Sequence, residues 1–241
     1  MDIVFLGTPD FAVPSLKALI ENGYNVKAVF TQPDRPKGRG NKVQFSPVKE
    51  YALSKDIPVY QPQKIRNSED ARILKELKPD LMITCAFGQI LSQENLDSAP
   101  LGCINVHGSL LPKYRGSSPI QWAVINGESE TGISTMYTDI GVDCGDIIHQ
   151  NTTRIGENET AGELFDRLAD LGAQTLIETL KMLEAGKIIR TPQDHLNATH
   201  YPMLDKQMGA IDFNKSSKVI KNLVRGLNPW PLHTLNAARI L

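Results

Sequence analysis

Two polar side chains, Asn105 and His107, stand two residues apart near the end of the run Gly102-Cys103-Ile104-Asn105-Val106-His107-Gly108. On an extended strand, residues two apart project from one face, so an amide donor and an imidazole would sit side by side. That pair suits a reaction in which a carbonyl oxygen gains negative charge while a proton changes hands. A carboxylate is available in Asp139-Ile140-Gly141-Val142-Asp143-Cys144-Gly145-Asp146, where the glycines let Asp143 fold back on His107. Each residue alone has an ordinary structural explanation, since strand-end histidines and turn-forming Asn and Asp are common. The chemistry lies in the combination. It is followed by Ser109-Leu110-Leu111-Pro112-Lys113-Tyr114-Arg115-Gly116, a proline- and glycine-bounded loop at a strand's C-terminal end, the edge where open α/β sheets bind ligands.

The elements that must position these residues follow a regular alternation. Ile3–Gly7 and Val26–Thr31 read as short buried strands, with a helix predicted over Phe11–Asn22 between them and Pro14 in its first turn. Strand, helix and strand in that order make a parallel βαβ unit. The pattern continues with a helix at Val48–Lys55, a strand at Val59-Tyr60, a capped helix at Ser68–Leu77, and strands at Leu81–Cys85 and Cys103–His107. Pro119–Asn126 suits a helix, Thr131–Tyr137 and Asp146–Thr152 suit strands, and Thr160–Ala185 is a long amphipathic helix. Residues 187–209 lose this periodicity and read as a linker wrapping the surface, before a last short helix at Ser217–Gly226.

Composition sets the outer bounds. The 241 residues are 41% hydrophobic and 22% charged, as in ordinary globular proteins, and no apolar run approaches membrane-spanning length. Met1-Asp2 opens directly into a strand without a basic region or cleavage pattern, so the cytoplasm is the expected compartment. Three cysteines, Cys85, Cys103 and Cys144, form no CxxC pair. His107 with Cys103 has no further ligands at zinc spacing, and His195 and His200 lie in the linker, so no metal is expected. The formal charge of −1 conceals two basic islands. Arg35, Lys37, Arg39, Lys42 and Lys49 stand against Asp34, and Lys206, Lys215, Lys218, Lys221 and Arg225 against Asp212. Such islands on an acidic body can take a polyanion, although charge alone also describes many solvated surfaces.

Taken together, Asn105-x-His107, Ser109-Leu110-Leu111-Pro112-x-x-x-Gly116 and Asp143 in Gly141-x-Asp143-x-Gly145 resemble the formyltransferase family that uses 10-formyltetrahydrofolate. The resemblance runs from Phe5-x-Gly7-Thr8-Pro9 to Asn228-Pro229-Trp230-Pro231, essentially the whole chain. It implies an α/β fold, a Rossmann-like, mostly parallel sheet with helices on both faces, followed by the start of an OB-like barrel. The domains would be a catalytic unit over 1–186, a linker over 187–206 and the C-terminal unit from 207 to 241. It further implies Asn105, His107 and Asp143 as the catalytic trio acting on 10-formyltetrahydrofolate as formyl donor. Ser109, Leu110, Leu111 and Pro112 would line the folate channel, the turn Phe87-Gly88-Gln89-Ile90-Leu91 would hold the pterin, and Asp139 would join them.

Family members divide by acceptor amine. The branch that formylates glycinamide ribonucleotide carries a Gly-Ser-Asn phosphate loop after its first strand, whereas Gly7-Thr8-Pro9-Asp10-Phe11 stands here. The basic insert, with Arg35, Lys37, Arg39 and Lys42 flexed by glycines, resembles the loop with which other members contact initiator methionyl-tRNA. That makes a tRNA-dependent transferase of translation initiation, acting as a monomer, the expected reading. An amino-sugar nucleotide as acceptor, or folate binding without turnover, are the alternatives. The family's chains usually continue well past Asn228-Pro229-Trp230-Pro231, so this chain, ending at Leu241, is expected to be shortened at its C-terminal end with its folate chemistry retained.

Overall fold

The computed structural model describes residues 1–37, 42–66 and 68–232. Strand β1 (Asp2–Gly7) leads through a 3-10 turn, Asp10–Ala12, into helix α1 (Val13–Glu21) and strand β2 (Asn25–Phe30). A small hairpin of β3 (Arg35–Lys37) and β4 (Lys42–Gln44) follows, then α2 (Pro47–Leu53), β5 (Val59–Tyr60), α3 (Ser68–Leu77) and β6 (Leu81–Cys85). Next come α4 (Gln93–Leu96), β7 (Cys103–His107), β8 (Arg115–Gly116), α5 (Pro119–Ile125), β9 (Glu130–Tyr137) and β10 (Ile147–Arg154). The long helix α6 (Ala161–Glu184), strand β11 (His200–Tyr201) and helix α7 (Ser217–Gly226) complete the described chain.

Seven strands form one sheet in the order β10-β9-β7-β6-β1-β2-β5. The five from β7 to β5 run parallel, while β9 and β10 run antiparallel at one edge. Burial explains why the central strands read as unbroken apolar runs: β6 is buried at all five positions because both faces of a parallel sheet are covered. Alternate residues serve opposite cores. Ile3, Phe5, Ile83, Ile104 and Val106 pack with Leu16 of α1 and Leu164 of α6, whereas Val4, Leu6 and Met82 pack with Leu74 of α3 and Leu96 of α4. At the edge, β10 alternates half-buried and exposed positions from His149 to Arg154, as a strand covered on one face must.

Helix α6 organises the first core. Thr160 caps it through a capping box with Glu163, and Leu164, Leu168, Leu176 and Leu180, all fully buried, form one stripe. Gly172 lies where an added Cβ would stand 3.2 Å from Val106, so the helix seats closely over β7 and β9. Predicted elements and observed ones agree to within a few residues at their ends. The first helix begins instead as a 3-10 turn, because Pro14 cannot supply an N–H to an earlier α-helical turn.

The predicted linker is more firmly attached than its composition suggested. Ile147 and Thr191 exchange two backbone hydrogen bonds, of 2.8 and 2.9 Å, and β11 pairs with β8 in a separate parallel ribbon. Trp122 donates from Nε1 to the Pro202 carbonyl at 2.9 Å. Beyond it, α7 packs on α5, and Gly162 donates to Asn228 O at 3.0 Å. No helix among the described residues is long and apolar enough to cross a membrane.

The core stripe of α6 is directly testable. Leu176→Ala removes a fully buried side chain from a close-packed layer and is expected to cost about 2–5 kcal/mol. Urea melts should show a lower midpoint with an unchanged slope; a midpoint within error of the parent would contradict the packing described.

Candidate active site

The end of β7 places Asn105 and His107 on one face, as their spacing requires, and neighbouring residues fix both. Thr84, paired with Asn105 across β6 and β7, donates its hydroxyl to Asn105 Oδ1 at 3.0 Å. With the amide oxygen so occupied, Nδ2 is the atom left to face outward. His107 is buried, and its Nε2 lies 2.9 Å from the Tyr114 carbonyl oxygen. A carbonyl only accepts, so Nε2 carries hydrogen and the second nitrogen, Nδ1, is turned to the site. Tyr114 adopts φ +60°, and this left-handed conformation sits in the loop that brings its carbonyl to the ring.

Asp143 arrives from the loop between β9 and β10, itself at φ +50°. Its Oδ2 accepts the Gly116 N–H at 2.9 Å. Its Oδ1 stands 3.5 Å from Asn105 Nδ2 and 3.8 Å from His107 Nδ1. Those separations are long for direct hydrogen bonds and fit groups that close on a reacting atom placed among them. Two glycines make the convergence possible. A Cβ on Gly145 would stand 1.9 Å from the Tyr137 carbonyl, and one on Gly116, at φ +102°, would stand 2.5 Å from the Tyr201 carbonyl.

The trio lines a cleft of about 650 Å³, within the usual range for small-molecule sites. Phe87, Gly88, Gln89, Ile90 and Leu91 all stand in its wall, as does Asp139. Gln89 turns its amide away from the cleft, accepting from Ile65 N at 2.7 Å and donating to Pro62 O at 2.9 Å. Its role there is to brace the turn. Ile90, Ile140, Val142 and Met203 leave more than half their surface exposed around the cleft, an apolar rim that matches a flat aromatic ligand. A larger cleft of about 730 Å³ lies beside the Asp139–Asp146 loop but contains none of the trio.

Ser109, Leu110, Leu111 and Pro112 do not stand in the cleft wall. Ser109 is fully buried and donates to Lys113 O at 2.8 Å, the Leu111 N–H donates to Ser134 Oγ at 3.0 Å, and Leu110 packs toward Gly132. The segment lies behind His107 and shapes the loop that presents the Tyr114 carbonyl. The reason is local: once Pro112 closes the turn, the chain satisfies its polar groups internally rather than toward the cleft. The sequence reading missed Thr84, whose signal was a lone hydroxyl in an apolar strand, and the Gly116 N–H, which has no side-chain signature.

The first basic island resolves into two parts. Lys49 Nζ lies 2.5 Å from Asp34 Oδ2 and 2.7 Å from Gln61 Oε1, and it sits 3.8 Å above the Phe45 ring. It braces the foot of the β3–β4 hairpin. Asp34 is thereby neutralised; burial raises its carboxyl pKa, but Lys49 and Gln61 outweigh that and hold it below the ordinary value. Arg35 is exposed at the start of the hairpin, and Lys37 and Lys42 face each other across its ladder. Arg39 and the side chains of Lys37 and Lys42 lie outside the described residues. In the second island, Arg225 is buried and donates to the Gly156 and Glu159 carbonyls at 2.9 and 3.2 Å, and Lys221 pairs with Glu157 at 3.3 Å. Two of its five cations therefore serve the fold.

An amide, an imidazole and a carboxylate meet here at the C-terminal edge of a parallel sheet, an arrangement able to stabilise a developing oxyanion and move a proton. Among the described residues, no three His, Cys, Asp or Glu side chains gather as metal ligands would. The family model of formyl transferases matches residues 1–180, and that of the formyl transferase C-terminal domain matches 203–240. This chain belongs to the formyl transferase family. It is 56% identical over 232 residues to a methionyl-tRNA formyltransferase of Acetivibrio thermocellus, covering 96% of this chain and 75% of that one. A methionyl-tRNA formyltransferase of Clostridioides difficile is 53% identical over 231 residues, with the same coverage. Among solved structures, a sugar 3N-formyl transferase with dTDP and 5-N-formyl-THF superposes with TM-score 0.77 at 23% identity, covering 98% of this chain and 83% of that one. An N-formyltransferase from Helicobacter canadensis with folinic acid and dTDP-3-aminofucose gives 0.75 at 23% identity, covering 97% and 84%.

The thiols near the site are chemically quiet. Burial pushes Cys85 up to about 12 and Cys103 up to about 11, so neither is a thiolate at neutral pH. Iodoacetamide at pH 8 is expected to modify Cys144 alone in the native protein and all three cysteines after denaturation. Mass spectrometry showing native modification of Cys85 or Cys103 would contradict this burial.

Proposed function

We propose that this chain transfers the formyl group of 10-formyltetrahydrofolate to the α-amino group of methionyl-tRNA. The observation that carries the reading is the convergence of Asn105, His107 and Asp143 in one cleft, in a chain more than half identical across 96% of its length to methionyl-tRNA formyltransferases. The solved sugar formyltransferases share the fold at 23% identity, which supports no choice of acceptor. Acting on tRNA, the protein would work in the cytoplasm, as a monomer. The catalytic unit would span 1–186, with 187–206 as connector and 207–241 belonging to the tRNA-binding part.

The donor fits the residues present: the apolar wall from Phe87 to Leu91 and the rim of Ile140 and Val142 suit a flat ring system. When bound there, it supplies an activated formyl carbon. The acceptor nitrogen forms a bond to that carbon while the bond from carbon to the folate N10 breaks. Asn105 Nδ2 donates to the formyl oxygen as it gains charge. Asp143, through the oxygen not held by Gly116, draws the proton from the attacking nitrogen. His107 Nδ1, backed by Nε2–H on Tyr114, shares that proton with Asp143 and returns it toward N10, which leaves as an amine. The exposed Arg35, with Lys37, Arg39 and Lys42, would contact tRNA phosphates.

The test of the trio is kinetic. Asn105→Ala and Asp143→Asn should each lower turnover by roughly 10²–10³, with affinity for a 10-formyltetrahydrofolate analogue unchanged in calorimetry. Near-parental turnover in either variant would overturn its role.

The acceptor is tested by competition between methionyl-tRNA and a dTDP-amino sugar, where the tRNA should be formylated and the sugar spared. Arg35→Ala should weaken tRNA binding by about 1–3 kcal/mol and make its salt dependence shallower by about one unit. Preferential sugar formylation would overturn the tRNA assignment.

A further inference from the structure

Between the two family matches lie residues 181–202, which neither covers, and within 187–200 one side chain alone is buried, that of Gln193. A polar residue buried amid exposed neighbours, with no apolar face to hide, calls for a reason. Its amide is fully used. Oε1 accepts from Arg115 Nε at 3.0 Å and Nη2 at 2.6 Å. Nε2 donates to the backbone carbonyls of Asp143 at 3.0 Å and Gly145 at 2.8 Å. Two donors on one side and two carbonyls on the other allow only this orientation of the amide.

What Gln193 joins is the two sides of the site. Arg115 lies between Tyr114, whose carbonyl holds His107, and Gly116, whose N–H holds Asp143. Thr199, six residues on, reinforces that side, accepting Tyr114 N on Oγ1 at 2.8 Å and Arg115 N on its carbonyl at 2.9 Å. The other side is the loop carrying Asp143. Its tip, from Asp139 to Val142, is exposed. Its base, at Asp143 and Gly145, is where Gln193 takes hold.

We infer that Gln193 is a positioning residue for the catalytic pair, spanning from the Arg115 loop to the Asp143 loop and setting the approach of Asp143 to His107. It touches neither substrate nor reacting atom and acts through the backbone of Asp143; the inference rests on the catalytic role proposed for that residue. Displacement of a catalytic group by about 1 Å costs on the order of a hundredfold, so a residue governing that distance belongs to catalysis although it lies outside the cleft.

The experiment is a double-mutant cycle on the full chain. Gln193→Ala removes both sets of bonds, whereas Gln193→Glu keeps an acceptor for Arg115, removes the two donors to the Asp143 loop and sets a carboxylate oxygen against its carbonyls. Both should lower kcat by roughly tenfold to a hundredfold, leaving KM for the formyl donor unchanged. In an Asp143→Asn background the same changes should cause no further loss, because the residue through which Gln193 acts is already disabled. Melting curves establish folding, and if Gln193→Ala does not fold, the isosteric Gln193→Glu carries the test. Parental kcat in Gln193→Glu would overturn the inference. So would an equal loss in both backgrounds, since additivity marks a structural effect that does not pass through Asp143. Full turnover in Asp143→Asn itself would overturn the underlying catalytic assignment, a distinguishable result.

Discussion

The carboxylate of Asp143 is held at one oxygen by the N–H of Gly116 and turned with the other toward Asn105 and His107. Much of the architecture around the cleft can be traced from that arrangement. β7 delivers two side chains to a single face, and α6 seats closely enough over β7 and β9 to hold those strands in place. Left-handed residues at Tyr114 and Asp143 turn two loops toward each other, a conformation that costs on the order of 1–3 kcal/mol at each non-glycine position. A large core stabilises the fold enough to sustain that strain where it is useful.

The central strands were legible in the sequence because parallel sheets bury both faces, so Leu81–Cys85 and Cys103–His107 stand out as short apolar runs between polar segments. The long helix was legible for a different reason: its leucines recur on one stripe and Thr160 with Glu163 marks its start. The trio could be named because three polar positions coincided with a loop motif. What stayed hidden depended on backbone groups. The Tyr114 carbonyl and Gly116 N–H carry no side-chain signature, and Ser109–Pro112, conspicuous as letters, turned out to support the site from behind. Gln193 was hidden in a stretch whose composition reads as linker, since a single buried amide leaves no periodic trace.

Charge counting was informative only after pairing was known. In the first island Lys49 and Asp34 neutralise each other, while Arg35 is exposed. In the second, Arg225 satisfies carbonyls at the foot of α6 and Lys221 meets Glu157, so its apparent excess is partly internal. Formal charge in a segment is thus no measure of the charge it presents, because burial and pairing decide which cations a ligand can meet.

Arg115 is a buried guanidinium whose neighbours are an amide oxygen and an imidazole nitrogen rather than a carboxylate. Its positive charge is therefore shared with the surroundings instead of being cancelled at contact. Gln193 lies in the path of that field, with its carbonyl toward the cation and its N–H groups toward the backbone of Asp143. Chains of hydrogen bonds polarise one another, so the arginine strengthens the donation it does not itself make. One neutral dipole thus links a buried cation to the backbone of the loop that carries Asp143, without Arg115 itself entering the cleft wall.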